Sequence, residues 1–104
     1  MGQVADEITL SLLVQIEARG GRYRSFCPTI EVASAGRSID EALTNIHTAV
    51  EERLEHWVED GRLLAELERY QVPFVPGRRS DLPAHADLPP GVLAMTLNES
   101  VRLA

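Results

Sequence analysis

The chain has no lysine; its ten basic residues are all arginine. It has a single cysteine, Cys27, which excludes an internal disulfide and makes a reducing cytoplasm the expected setting. Aromatic residues make up only 5 % of the chain. No apolar run approaches the ~20 residues of a membrane span. The opening Met-Gly-Gln-Val-Ala-Asp-Glu lacks a basic region followed by an apolar one, so it does not read as a secretory signal. Positive charge is in deficit, and the formal net charge is −6. An acidic chain repels phosphate backbones, which argues against direct nucleic-acid binding and suits a basic protein partner. The same charge also serves plain solubility.

What is present fits one domain: 104 residues, 44 % of them hydrophobic. The most legible stretch is Arg37 to Asp60. Ile39, Ala42, Leu43, Ile46, Ala49, Val50, Leu54, Trp57 and Val58 follow the three-and-four spacing of one helical face. Ser38 with Glu41 makes a capping-box start, and Asp40 and Glu41 suit the positive end of the helix dipole. Gly61 marks the stop. The pattern predicts one amphipathic helix of roughly six turns.

Ahead of it, Ile8, Leu10, Leu12, Val14 and Ile16 alternate with polar residues, the signature of a half-buried strand. Leu13 interrupts the polar face and hints that it is partly covered. Gly20-Gly21 predicts a hairpin turn into a second strand, Arg22 to Cys27. Pro28 ends regular pairing, and Ile30 to Ser34 reads as a short third strand. After the helix, Leu63, Leu64, Leu67 and Tyr70 resume helical spacing. Five of the six prolines then fall between Val72 and Gly91. The stretch 73–91 reads as an extended or irregular connector, which at about 3.3 Å per residue reaches up to ~60 Å. A last short strand is expected near 92–97.

The expected fold class is α+β: a β-β-β-α-β antiparallel sheet with one long helix on one face and a proline-rich C-terminal extension. The expected division is an α+β unit over 1–70 and a connector and tail over 71–104.

From Gly21 to Trp57 the chain resembles the HicB family of antitoxins. The residues that carry the resemblance are Gly21-Arg22-Tyr23-Arg24-Ser25-Phe26-Cys27-Pro28, then Val32-Ala33-Ser34-Ala35-Gly36, then Ser38-Ile39-Asp40-Glu41-Ala42-Leu43-Thr44-Asn45. With the flanking strand and helix the resemblance covers about residues 8–70. It implies a fold similar to a trimmed ribonuclease H without the catalytic metal site. It also implies self-association into dimers or tetramers, and binding to a small basic mRNA-cleaving toxin, HicA. Many members carry a C-terminal helix-turn-helix or ribbon-helix-helix for promoter DNA. Neither is visible in this proline-rich tail, where Met95 to Ser100 only faintly suggests a ribbon strand.

The residues offer little chemistry. Strand one lacks internal carboxylates for two divalent ions, so a nuclease is not expected. His47 with Glu51, and Glu52 with His56, stand four apart and can begin a zinc site. No third cluster is evident in the sequence, so they read as solvated pairs and neither a metal nor a cofactor is expected. His85 falls in the connector. Cys27 has no activating neighbour and reads as core. The acidic run Glu51, Glu52, Glu55, Glu59 and Asp60 is the expected toxin-facing surface, with a merely solvated face as its alternative. Leu13, Phe26 and Trp57 are the expected self-association residues, Trp57 being equally in phase with the core. The functional expectation is a cytoplasmic, non-enzymatic antitoxin. Its alternative is a stand-alone homo-oligomer without a toxin.

Overall fold

The alternation of Ile8 to Ile16 becomes the central strand of the sheet, β1 (Glu7–Arg19). All five apolar residues of that alternation are at most 3 % exposed. The structure is a computed structural model that describes residues 7–77 and 92–102. The glycine turn delivers β2 (Arg22–Cys27), which pairs antiparallel with β1 in the register Gln15↔Phe26 to Arg19↔Arg22. β2 in turn pairs with β3 (Val32–Gly36).

The third strand begins two residues later than its pattern suggested. Pro28 opens a 3-10 turn, Pro28–Ile30, and Glu31 takes a left-handed conformation with φ 56°. Ile30 is therefore a fully buried turn residue, not a strand residue.

Helix α1 (Ile39–Glu59) starts where the cap predicted, with Glu41 N donating to Ser38 Oγ at 3.1 Å. The return half of the box is displaced by one residue, because Glu41 Oε1 accepts from Arg37 N. The helix ends in a Schellman motif: Arg62 N donates to Trp57 O, Gly61 N donates to Val58 O, and Gly61 sits at φ 68°. Ala42, Ile46, Val50, Leu54 and Trp57 are buried. All but Ala42 join the inward residues of β1 in one core. Asn45 Nδ2 donates to Ala35 O at 2.8 Å and ties the helix to β3. The second helix, α2 (Leu63–Arg69), buries Leu63 and Leu67 and brings Tyr70 into a stack on Trp57, with ring centroids 5.8 Å apart.

Two further strands complete the sheet. β4 (Phe74–Pro76) pairs with Ile8 to Leu10. It lies in the stretch expected to be irregular; three residues framed by Pro73 and Pro76 carry no readable period. β5 (Val92–Arg102) pairs with β1 from Glu17 back to Glu7. It runs five residues beyond the expected strand. Ile8 to Leu10 and Gln15 to Glu17 each pair with β5 as well as with β4 or β2. A strand has two edges, so β2 and β4 share one edge of β1 in tandem and β5 takes the other from Glu7 to Glu17. The result is an α+β fold: a five-stranded antiparallel sheet with one long and one short helix. Residues 78–91, with Pro83, His85, Pro89 and Pro90, lie outside the described residues. Among the described residues no helix is long and apolar enough to cross a membrane.

Candidate functional site

The site lies where α1 passes over β5. Glu51, Glu55 and Glu59 recur every fourth residue and so form one ridge along the helix. Together with Leu54 and Val58 they face Glu99, Ser100, Val101 and Arg102 of β5 across an open cleft of about 350 Å³. Leu54 is 2 % exposed and Val101 packs against the core. The cleft therefore has an apolar floor beneath a wall of carboxylates.

Glu99 is the unexpected member. Its register partner is Leu10, so it occupies the inward phase of β5 together with Leu97 and Val101. It is 8 % exposed. Its Oε1 lies against His47 Nε2, while His47 Nδ1 lies 3.0 Å from Glu51 Oε1. Burial pushes the Glu99 carboxyl above its ordinary range; His47 opposes that shift and the charge of Glu51 adds to it. The ligand atoms of His47, Glu51 and Glu99 lie within 4.8 Å of one another, the one such group among the described residues. The helix pair was visible in the sequence. The third residue was not, because 98–104 carried no clear element. The signal available was a charge in the apolar phase of Met95, Leu97 and Val101.

The five acidic residues expected to form one surface divide three ways. Glu51, Glu55 and Glu59 line the cleft. Glu52 faces the opposite flank with Arg53 and His56, beside Val32 and Ala33 of β3. Asp60 is engaged at the helix end, 3.3 Å from His56 Nε2 and 3.2 Å from Arg62. Of the expected self-association residues, Leu13 and Phe26 are half-buried and point away from α1, by the alternation of their strands. Trp57 is 4 % exposed and lies inside the core. Cys27 is fully buried, and burial pushes its thiol upward from the ordinary value.

Compared with family models, curated proteins and solved structures, the chain matches none.

Proposed function

We propose that this chain is a non-enzymatic, antitoxin-like binding protein of the HicB type. It covers a small basic mRNA-cleaving protein of the HicA type and acts in the cytoplasm. The observation that supports this reading most directly is the cleft between α1 and β5. Its glutamate ridge attracts cationic side chains, and its apolar floor of Leu54, Val58 and Val101 accepts their aliphatic stems or an adjoining apolar residue. Charge speeds and orients the encounter, and apolar burial holds the complex. The coarse architecture, an antiparallel sheet with one long helix after three strands, is compatible with the trimmed ribonuclease H-like fold that the resemblance implies.

The test is protection from a HicA-like toxin expressed in the same cells. The wild-type chain should relieve growth arrest, and Glu55→Arg with Glu59→Arg should abolish relief while leaving the melting curve intact. Binding of the purified pair should weaken at least about tenfold in the double variant and fall with salt. A chain that gives no relief, or a double variant that protects as well as wild type, rejects the reading.

A second reading rests on β5. The edge of β5 away from β1 has no paired strand among the described residues. An open edge of 11 residues is a template for a second copy. In this reading the chain is a stand-alone homo-oligomer, and Leu13 and Phe26 contribute from the open sheet face. Sedimentation at several concentrations, with Thr96→Pro at the edge as the disrupting variant, tests it.

A further inference from the structure

We propose that His47, Glu51 and Glu99 bind one divalent first-row transition ion, of the zinc or manganese class, and that the ion fastens β5 to α1. The inference is independent of the antitoxin reading.

Two observations support it. The first is the donor set. One imidazole and two carboxylates converge from two elements distant in sequence, with ligand atoms no more than 4.8 Å apart. Two ligands at roughly 2.0–2.2 Å from a common ion are at most about 4.4 Å apart, so the cluster closes with shifts of a few tenths of an ångström. The two carboxylates supply two negative charges, which match a divalent cation. The imidazole favours a transition ion over calcium or magnesium.

The second observation is Glu99 itself. It is more than nine-tenths buried, and its Oε1 has the His47 imidazole as its one partner among the described residues. Among the described residues no arginine pairs with Glu99 or Glu51; both rely on the one imidazole. A buried carboxylate so placed is costly unless a cation compensates it. A divalent ion provides that compensation. The adjoining cleft gives the ion a path from solvent and room for water ligands.

The ring nitrogens now face different carboxylates. One ring nitrogen already lies within 4.8 Å of both carboxylates, so small shifts bring all three donors onto one ion. The pair on the other flank, Glu52 and His56, has no third ligand among the described residues and serves as the internal control.

The experiment is a titration of the full, chelator-washed chain with zinc chloride and with manganese chloride, followed by calorimetry, thermal melting and the imidazole NMR signals. One ion per chain should bind, and the His47 ring signals should shift selectively. The melting temperature should rise by roughly 10 °C when metal exceeds its Kd about a hundredfold. His47→Gln and Glu99→Gln should each weaken binding by at least about tenfold, and His56→Gln should leave it unchanged. If Glu99→Gln fails to fold, the half-exposed His47→Gln decides alone. No saturable heat and no melting shift at millimolar metal overturns the proposal. So does binding that survives His47→Gln undiminished.

Discussion

A Cβ added to Gly36 would lie 2.4 Å from the backbone nitrogen of Ala42. β3 therefore ends flush against the first turn of α1, and only a residue without a side chain fits. The obstructing atoms belong to the backbone of Glu41 and Ala42, which cannot swing aside as a long side chain would. Gly36→Ala should cost about 1–3 kcal/mol. Urea denaturation should show a lowered midpoint with an unchanged slope. An unchanged midpoint would mean that α1 slides on the sheet without penalty.

Gln71 ends α2 as Gly61 ends α1. It sits at φ 56°, with Gln71 N donating to Glu68 O and Val72 N donating to Leu67 O. A side chain in this conformation is strained by roughly 1–2 kcal/mol. Glycine relieves the strain but releases roughly 0.4–1 kcal/mol of extra unfolded-chain entropy. Gln71→Gly should therefore stabilise by about 0.5 kcal/mol, read as a small upward shift of the melting temperature.

Cys27 is held as a neutral thiol. Burial raises its pKa from the ordinary 9.0, outweighing the backbone hydrogen bonds from Ile30 and Thr29. For a group whose folded pKa is raised, the stability contribution is full below the unfolded value. It is lost as pH climbs through the folded one. Wild type should lose stability above about pH 9 faster than Cys27→Ala does, in paired urea titrations across the alkaline range. At neutral pH, iodoacetamide should label Cys27 no faster than the chain opens. Rapid labelling of the native state would show that the thiol is accessible.

Ending the chain at Gly91 removes β5 and leaves β1 unpaired from Glu7 to Glu17 along one edge. The partly buried Leu97 and Val101 leave the core with it. The shortened chain should lack a cooperative melt by circular dichroism and should aggregate at concentrations where wild type stays dispersed. A sharp two-state melt would establish residues 1–91 as self-sufficient.

The elements that could be read ahead of the structure are those with a long unbroken period. β1 alternates over nine residues from Ile8 to Ile16, and α1 keeps its stripe from Ile39 to Trp57 between a serine cap and a glycine stop. The start of β3 was misplaced because nothing in Ile30-Glu31 announces a left-handed residue. β4 is too short to have a period. β5 was cut short because Asn98, Glu99 and Ser100 look like a loop until the strand is seen beside β1. The site shared this fate. His47 and Glu51 are neighbours by helix geometry alone, and Glu99 reaches them only through long-range strand pairing.

That pairing also sets a timetable. Thr9 and Ser100 touch across 91 positions of chain, and closing so wide a loop opposes folding by about 4 kcal/mol of entropy. The β1–β2 hairpin turns on two glycines and needs no such search. Refolding should therefore begin at the hairpin and wait for β5, passing through a species whose central strand still has one bare edge. The protein's slowest folding step and its greatest exposure to misassociation thus fall at the same moment. A small excess of free β5 peptide present then would compete for the vacant edge.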